Sequence, residues 1–337
     1  MTRQQIDSLL SNLSDEDHPR LEETHISWVI LSGDYVYKIK KPVRFHFLDF
    51  TSMVKRQFYC ERELMLNRRL TDDIYLAVVP VKQNECGVSI DDCPGEIIDH
   101  AVCMRRMEAG RRMDRLLMTG MVSTADIDAL AQKIARFHRS AEIINNKDAR
   151  DISEKFADLA SEEFFLQQHL PHSGLPSISH AIRVSDIFSE KHARHVYDRI
   201  HRGFVRDCHG DLHTRNIFLL TTPQPFDCIE FNDDLREIDV LNEVAFLCMD
   251  LEAFGRNDLS RQFMHTYNTA FPSLETQEDR LLLQYYKSYR ANVRAKIYSL
   301  AARNAVSGDE QAAALAQADR YLGLMNGYLQ KLMTCRI

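Results

Sequence analysis

Four residues in the segment 208–231 have the types and spacing that phosphoryl transfer requires. His209, Asp211 and Asn216 stand in the order H-x-D-x-x-x-x-N, and Glu230 follows after two short apolar runs. In phosphoryl transfer an Asp accepts the proton of the attacking hydroxyl, an Asn five positions later holds magnesium, and a second carboxylate holds metal against the phosphates. The segment therefore predicts a site that moves a phosphoryl group to a hydroxyl.

Part of the same segment also fits a different chemistry, the metal site of a hydrolase. His209, Asp211 and His213 lie at positions i, i+2 and i+4, and such a set can meet one metal ion of a hydrolase. Against this interpretation, the sequence has no second histidine-rich cluster for the remaining ligands, and Asn216 would have no role. A P-loop site is excluded in its simple form, because G-x-x-x-x-G-K-[ST] does not occur.

Length and charge restrict the class of protein. A chain of 337 residues can bury its own core, as one large domain or as two lobes. Its net charge of -7 argues against a general nucleic-acid partner, which calls for a basic surface. The polar N-terminus is unlike a signal peptide and no apolar run approaches a membrane span, so we expect a cytoplasmic protein without membrane contact. Eight cysteines without a C-x-x-C pair predict reduced, mostly buried thiols.

The first hundred residues predict a small β-rich lobe. Two β-rich runs, 28–31 and 35–41, flank Ser32-Gly33-Asp34, which is a good hairpin turn. The other elements predicted for this lobe are a short helix within residues 1–19, a helix over 51–70, and strands over 76–81, 88–90 and 97–104. Strand patterns nearly vanish after Met107, which places a boundary there.

Two lysines and two glutamates of this lobe are candidates for a buried ion pair. Lys38 and Lys40 lie on one face of the second run, where burial requires an anionic partner, unless the strand is an edge strand protected by lysines. On the following helix, Glu63 falls within the apolar stripe, and Glu61 lies on a different side. A strand lysine paired with a helix glutamate orients nucleotide phosphates. The register leaves Lys38 or Lys40, and Glu63 or Glu61, open.

Helices dominate after residue 108. Ser123 and Asp126 form a predicted capping box, and Ile217–Leu220 and Phe226–Phe231 are predicted strands of a β-hairpin within the helical part. The remaining predicted helices cover 153–170, 181–202, a stretch from 237, 276–303 and the C-terminal residues after Ser307. The predicted organisation is an N-lobe over 1–107 and a C-lobe over 108–337.

Three segments resemble a known superfamily. HGDLHTRN resembles the H-G-D-x-H-x-x-N catalytic loop of the aminoglycoside phosphotransferase and choline kinase superfamily, and FDCIEFNDDLREIDVLNEVAFL resembles the segment that follows it. WVILSGDYVYKIKKPVRFHFLDF with CERELMLNRRL resembles a bacterial aminoglycoside-phosphotransferase-like subgroup of unassigned substrate. The resemblance implies an α+β, bilobal, protein-kinase-like fold. Its small β-rich N-lobe would carry one helix and the nucleotide, and its large, mainly helical C-lobe would contain a catalytic β-hairpin.

The resemblance also implies roles for the matching residues. In the catalytic loop 209–216, Asp211 would be the catalytic base and His209 would hold the loop in shape. In the segment 226–239, Glu230 would join Asn216 as a ligand of Mg²⁺, and Asp239 would brace the loop. Lys38, or Lys40 in a shifted register, would bind the phosphates of ATP with Glu63 as its partner, and the backbone of Met107 and Glu108 would meet the adenine.

Two departures from the family pattern are visible. Glu230 stands where the family usually has Asp, which changes the reach of the carboxylate. No glycine-rich loop precedes Trp28, so the turn over the phosphates would lie near Glu23–Ser27 and use backbone amides with the hydroxyl of Thr24 or Ser27. Both departures motivate the alternative of a pseudokinase or nucleotide-gated binding protein, whereas the presence of Asp211 and Asn216 favours catalysis.

The expected acceptor is a small molecule with a hydroxyl group. Only seven residues separate Glu230 from Ile238, which leaves little platform for a peptide and makes a protein kinase less expected. An acidic pocket would indicate a cationic acceptor, and arginines facing the site would indicate a sugar or sugar phosphate. The candidate lining residues are Asp250, Glu252, Tyr289, Arg290 and Arg294.

Overall fold

The computed structural model describes residues 1–13, 19–45, 48–90, 94–170 and 177–334. Within it the chain forms two compact units, the first from Met1–Leu116 and Arg215–Leu235, the second from Leu117–Thr214 and Arg236–Ile337. Strands dominate the first unit and helices the second, which confirms the α+β class. The first unit extends past residue 107 and also includes 215–235, two features that the predicted lobes lack.

An antiparallel sheet of six strands forms the centre of the first unit, in the order β1-β2-β3-β8-β6-β7. The predicted hairpin is confirmed as β2 and β3, with Gly33 at a φ of 51° in its turn. β3 lies between β2 and β8, so the interpretation of an edge strand protected by lysines is wrong. The strands are β1 (Arg20–Glu23), β2 (Ser27–Ser32), β3 (Tyr35–Lys40), β6 (Tyr75–Asn84), β7 (Gly87–Ser89) and β8 (Glu96–Arg105), while β4 (Arg44–Phe45) and β5 (Leu48–Asp49) form a separate ribbon.

The two faces of this sheet pack against different helices, one from each of the segments predicted to be helical, 1–19 and 51–70. Ile6 of α1 (Arg3–Asn12) packs in a core cluster with Ile39 of β3. Cys60 of α2 (Met53–Asn67) packs in another with Val102 of β8. Because side chains alternate along a strand, Lys38 and Lys40 lie opposite to Ile39, on the face that α2 covers.

The predicted β-hairpin exists with a different second strand. β10 (Ile217–Leu219) pairs with β11 (Pro223–Pro225), so the expectation of a strand over 226–231 is wrong. Side chains bind the backbone amides there instead: Asp227 N donates to Tyr75 Oη (3.1 Å) and Cys228 N to Asn67 Oδ1 (2.9 Å). Asp227 also has a φ of 63°, which a strand does not accommodate.

The second unit is built from helices and one short pair of strands. The predicted capping box at Ser123 and Asp126 is confirmed. The helix expected from residue 237 begins later, because Glu237–Asp239 pairs with Val205–Asp207 as strands β12 and β9. The helices are α3 (Met113–Met118), within which the division between the units falls, α4 (Thr124–Ser140), α5 (Asp151–Phe156), α6 (Glu163–His169), α7 (Ile178–His201), α8 (Val240–Ala253), α9 (Asn257–Ala270), α10 (Gln277–Arg303) and α11 (Gly308–Thr334).

The single helix expected over 153–170 is interrupted. A 3₁₀-helix over Ala157–Glu162 separates α5 from α6. Side chains three apart eclipse one another in a 3₁₀-helix, and Phe156, Leu159 and Glu162 are all buried in this way. The carboxylate of Glu162 accepts hydrogen bonds from Ser299 Oγ and Arg303 Nη1 of α10. The tighter turn therefore keeps one polar and two apolar side chains on the interior side.

Two further predictions concern the state of the cysteines and the presence of membrane-spanning helices. All six cysteines within the described ranges are free, and five of them are buried. Among the helices of the described residues, none has the length and apolarity that crossing a bilayer requires.

A buried arginine ties three elements of the second unit together. The guanidinium of Arg199, on α7, donates two parallel hydrogen bonds to Asp239 (2.7 and 2.9 Å) and a third to Asp279 Oδ1 (2.6 Å). Asp239 is also the N-cap of α8 and accepts from Leu241 N, while Asp279 closes the capping box of α10. Arg199 therefore fixes the start of α8 relative to the start of α10.

We expect Arg199→Met to lower the free energy of unfolding by about 3–5 kcal/mol, because two buried carboxylates lose their partner. Arg202→Met is the matched control at the end of the same helix, since the ion pair of Arg202 with Glu275 is half exposed and contributes at most about 1 kcal/mol. Urea denaturation of both variants measures the difference. Equal losses in the two variants would contradict the importance of the buried pair.

Candidate active site

Five charged side chains of the first unit form an alternating chain of ion pairs. Lys38 Nζ contacts Glu63 Oε1 and Asp227 Oδ1, both at 2.8 Å. Lys40 Nζ contacts Glu63 Oε2 at 2.8 Å and also Glu230 Oε1. The order along this ion chain is Asp227, Lys38, Glu63, Lys40, Glu230. Each oxygen of the Glu63 carboxylate therefore accepts a hydrogen bond from one lysine. Each lysine also contacts one acid of the segment 226–231.

The ion chain answers two questions that the sequence leaves open. Both lysines contact Glu63, so Lys38 and Lys40 are not alternatives for this pair. Glu61 is exposed and accepts a hydrogen bond from Gln57 Nε2 on the outer side of α2. The partner in the helix is therefore Glu63.

The two ends of the ion chain differ in exposure. The side chain of Asp227 is 44% exposed, whereas that of Glu230 is only 4% exposed. Lys38, nearer the Asp227 end, keeps 15% of its side chain exposed, and Lys40 keeps none. A ligand in solution can reach the Asp227 end, which the sequence did not single out, and Lys40 covers the carboxylate of Glu230.

Burial and pairing act in opposite directions on the pKa values in this chain. Burial alone would raise the pKa of Glu63, but the two lysines outweigh it and lower this pKa to about 2. Burial raises the pKa of Glu230, and the ammonium of Lys40 only partly opposes that rise. Burial would lower the pKa of Lys38, yet Asp227 and Glu63 hold it well above its usual value. Glu63 is therefore an anion, and Lys38 a cation, at neutral pH.

The turn expected to cover phosphates lies between β1 and β2. Thr24 Oγ1 accepts hydrogen bonds from the amides of Ser27 (2.9 Å) and Ile26 (3.3 Å). Ser27 is fully buried, and its hydroxyl has no hydrogen-bond partner among the described residues. The amides of Ile26 and Ser27 are therefore engaged by Thr24, and the Ser27 side chain faces the interior.

The segment expected to meet a nucleobase follows β8. Met107 packs against an apolar cluster that includes Tyr75, Met104 and the stacked rings of Phe218 and Phe226. Glu108 is exposed and precedes the 3₁₀-helix Ala109–Arg111, with its carbonyl accepting from Arg111 N at 2.9 Å. Met107 thus packs on this apolar cluster, whereas Glu108, the next residue, is exposed.

In the second unit, a carboxylate of α8 holds the backbone of the H-G-D segment. Glu243 is fully buried, and its two oxygens accept from the amides of His209 (2.6 Å) and Gly210 (3.0 Å). His209 is also fully buried, and its Nδ1 accepts from the amide of Asp211 at 3.2 Å. Gly210 has a φ of 86°, which a side chain would strain. His209 and Glu243 together fix the backbone that carries Asp211.

Asp211 lies beside two nitrogen-containing side chains. Its Oδ2 is 3.4 Å from His213 Nε2, which in turn is 3.4 Å from Arg294 Nη1. Burial would raise the pKa of Asp211, but the charge and hydrogen bonding of His213, together with Arg294, hold it well below its usual range. Asp211 is therefore a carboxylate that can accept a hydrogen bond at neutral pH.

The residues suggested as lining an acceptor site are mainly buried supports of this loop. Asp250 accepts from Thr214 N and Oγ1 and from Tyr321 Oη. Arg290 donates to the carbonyl of Gly210 (3.1 Å) and to Asn242 Oδ1. Tyr289 is also buried, and Glu252 accepts from Lys287, Ser260 and Tyr328. Since Asp250 and Arg290 contact the loop backbone, they support the loop that carries Asp211.

Asn216 ends the 3₁₀-helix Thr214–Asn216, directly before β10. Its carbonyl accepts from the amide of Phe226 at 2.9 Å, and its side chain is largely buried. Within the first unit this bond attaches the residue before β10 to the residue that precedes Asp227.

Comparison with known proteins gives relatives in sequence and in fold. No family model matches the chain. Uncharacterized proteins of Mycobacterium tuberculosis and Mycobacterium bovis are 32% identical over 291 residues, which cover 85% of this chain and 55% of each relative. The chain thus spans about half the length of the curated relatives it matches.

Solved structures with a similar fold cover nearly the whole chain. An ethanolamine kinase of Plasmodium vivax has a TM-score of 0.55 at 8% identity and covers 95% of this chain and 85% of its own. A choline kinase of Cryptosporidium parvum has a TM-score of 0.54 at 10% identity, with 95% and 92% covered. A GDP complex of an aminoglycoside 2′-phosphotransferase has a TM-score of 0.52 at 13% identity, with 96% and 98% covered. The chain has the aminoglycoside phosphotransferase and choline kinase-like fold.

That fold confirms the resemblance drawn from HGDLHTRN and the segment after it. In this kinase-like fold, two residues that sequence reasoning did not single out make prominent contacts. Asp227 stands inside the segment FDCIEF, and its positive φ, its exposed side chain and its contact with Lys38 distinguish it from Glu230. Glu243 stands in the segment FDCIEFNDDLREIDVLNEVAFL too, four residues after Asp239, and the spacing of these two acids was the available signal.

We expect Glu243→Gln to destabilise the second unit by about 1–3 kcal/mol near pH 7, because the amide cannot accept from both backbone N–H groups. Burial alone would raise the pKa of Glu243, but the nearby side chains of His138, His209 and Arg290 lower it below its usual value. A carboxylate with a lowered pKa in the folded state stabilises above its unfolded pKa, about 4.3, and this contribution is lost as pH falls through the folded pKa.

Urea denaturation between neutral and acidic pH tests this expectation. The stability of the variant should fall less steeply than that of the wild type as the pH drops below the unfolded pKa of glutamate. Glu278→Gln, an exposed position of the same unit, is the control and should follow the wild-type curve. Parallel curves for Glu243→Gln and the wild type would rule out this contribution.

Proposed function

We propose that the chain is an ATP- and Mg²⁺-dependent phosphotransferase that moves the γ-phosphoryl group to a hydroxyl of a small molecule. The observation that carries the proposal is the contact of Lys38 with both Glu63 and Asp227 within a kinase-like fold. A strand lysine held by a helix glutamate and directed at an accessible carboxylate is the arrangement that receives nucleotide phosphates with their metal. The GDP bound in the aminoglycoside 2′-phosphotransferase of similar fold supports a nucleotide as the donor.

Lys38 is the residue proposed to bind the nucleotide phosphates. It retains exposed surface, whereas Lys40 is fully buried between Glu63 and Glu230. Phosphate binding by Lys38 exchanges its contact with Asp227 for one with phosphate oxygens, and its contact with Glu63 keeps the ammonium directed. Met107 and its apolar neighbours are proposed to pack against the base.

The donor set of the first unit fits Mg²⁺. Mg²⁺ prefers hard oxygen ligands, and Asp227 Oδ2 accepts no hydrogen bond from the described residues. The ion chain contains three carboxylates and two ammonium groups, so its formal charge is −1. This negative charge partly offsets the positive charge of a bound cation. We therefore propose Asp227, with Asn216, as the residues that would hold the metal. The bound metal would neutralise charge on the phosphate oxygens.

In this proposal Asp227 takes the role that sequence reasoning gave to Glu230. Glu230 is 3% exposed, and the nearer of its oxygens is bound by Lys40. Coordination of an ion by Glu230 would require breaking this pair and exposing both charges again, which is costly for a buried pair. Asp227 needs no such rearrangement.

Asp211 is proposed to orient and deprotonate the acceptor hydroxyl. The hydroxyl oxygen forms a bond to the γ-phosphorus, the bond from the γ-phosphorus to the bridging oxygen breaks, and ADP leaves with that oxygen. The hydroxyl proton passes to the Asp211 carboxylate, which is ionised because its pKa is well below its usual range. His209, Glu243 and Arg290 hold the backbone on which this carboxylate depends.

A small-molecule acceptor is favoured over a protein. Between Glu230 and Ile238 the chain forms the 3₁₀-helix Asp233–Leu235 and then enters β12. No extended platform for a peptide is present in this described stretch. The structural neighbours, which are an ethanolamine kinase, a choline kinase and an aminoglycoside phosphotransferase, support the same class of acceptor.

Two variants separate catalysis from nucleotide binding. We expect Asp211→Asn to bind MgATP with wild-type affinity and to lose about 10²–10⁴-fold in phosphoryl transfer, because only the base is removed. Asp227→Asn should weaken binding of MgATP while affecting metal-free ATP less. The measurements are isothermal titration calorimetry and a coupled ADP-release assay over a panel of hydroxylated metabolites.

The control for both variants is Asp73→Asn, an exposed acid of the first unit. It should bind MgATP and turn over as the wild type does. If the wild type binds MgATP but no acceptor in the panel raises ADP release above that of Asp211→Asn, the protein is a nucleotide-gated binding protein and the transferase proposal fails.

A further inference from the structure

Lys40 and Glu230 form a second, completely enclosed ion pair at one end of the ion chain. The Lys40 side chain has no exposed surface, and its ammonium lies between Glu63 and Glu230, with the Phe50 ring centroid 5.0 Å away. Replacing such a pair by neutral side chains of similar volume is often neutral or stabilising, because two charges no longer have to be desolvated. The stability of the fold therefore does not by itself explain why Lys40 and Glu230 form a buried pair.

The pair restricts the orientation of Glu63. The terminal torsion of a glutamate side chain is broad and roughly two-fold, so one hydrogen bond leaves the carboxylate free to rotate. Here Lys38 holds Oε1 and Lys40 holds Oε2, both at 2.8 Å. The second contact therefore fixes the plane of the carboxylate and with it the position of the Lys38 ammonium.

The same pair anchors the backbone that presents Asp227. Asp227 is the only non-glycine residue of positive φ in the described ranges, and such a conformation persists only where the surrounding structure determines it. The amides of Asp227 and Cys228 are held by Tyr75 and Asn67, and three residues after Asp227 the side chain of Glu230 is held by Lys40. The accessible carboxylate is thus fixed on both sides along the chain.

Charge is distributed along the ion chain in a way that favours this arrangement. Lys40 balances Glu230, and Lys38 balances Glu63, so the remaining formal charge of −1 belongs to Asp227 at the exposed end. A cation is therefore attracted to the accessible end, where Asp227 is, and the enclosed end offers it no open ligand.

We propose that Lys40 and Glu230 are a positioning pair, which does not touch the nucleotide but sets the Lys38 ammonium and the Asp227 carboxylate in the geometry that MgATP requires. The inference rests on the proposed function and deepens it, since it assigns a role to two residues that the transfer chemistry leaves unused. Removal of such supporting residues around a metal site typically lowers affinity by about 10- to 100-fold.

Three variants test the pair: Lys40→Met, Glu230→Gln and the double variant. Lys40→Met leaves the buried Glu230 carboxylate without its partner, and Glu230→Gln removes one of the two carboxylates that compensate Lys40, so we expect the Tm to fall in both. The double change removes both charges, and most of the Tm should return. A pair that served stability alone would then also return the binding properties of the wild type.

The decisive measurement is the affinity of the folded double variant for MgATP by isothermal titration calorimetry. We expect it to be about 10- to 100-fold weaker than wild type although the Tm has recovered, with a smaller change for metal-free ATP. The control is the exposed pair of the same unit, Asp49→Asn with Lys55→Met, which should leave the affinity unchanged.

Wild-type affinity in the folded double variant would overturn the positioning role and leave the proposed transferase intact. Absence of MgATP binding by the wild-type chain would refute the proposed function and this inference together. If circular dichroism shows the double variant to be unfolded, Lys40→Met decides. It removes the contacts of the Lys40 ammonium with both Glu63 and Glu230, and a folded Lys40→Met with unchanged affinity would overturn the role as well.

Discussion

The first unit depends on one carboxylate that two lysines share. Glu63 has no exposed surface, and without Lys38 and Lys40 it would be a buried charge inside the apolar stripe of α2. The lysines are equally costly to bury, which explains why all three occur together on one face of the sheet. A group built in this way tolerates few changes at any single member, because each ion is compensated by the next. Lys38 and Asp227, proposed as ligands of the phosphates and of the metal, are the members of this group that remain most accessible to solvent.

In the second unit, the proposed catalytic residue Asp211 is held in position in a different way. Asp211 lies beside His213, with its Oδ2 3.4 Å from His213 Nε2. Its position comes from backbone hydrogen bonds to side chains on two helices, Glu243 of α8 and Arg290 of α10, and from His209 within the loop. Backbone anchoring provides the position and leaves the carboxylate oxygens partly exposed.

The sequence predicted what local patterns determine. The hairpin of β2 and β3, the capping box at Ser123 and the placement of Glu63 follow from turn residues, caps and helical periodicity, and all are present. It did not predict the irregular course of residues 226–231, where an apolar run suggested a strand. The amides there bind side chains that are more than 150 positions away in the sequence, and no local pattern encodes such a partner. For the same reason the pattern favoured Glu230, and only the contacts distinguish Asp227.

The strand β12 and the helix α8 follow each other without a loop, and this fixes the length of the chain at that point. Asp239 pairs with Val205, caps α8 and binds Arg199, so the start of the helix cannot slide. Glu243 and Asp250 are seven residues apart on α8, on one face, and both hold amides of the segment 209–214. One inserted residue would rotate that face by about 100° and turn both carboxylates away from the backbone they hold. Among relatives, insertions and deletions should therefore be absent between the strand and these two acids, even where the residues themselves vary.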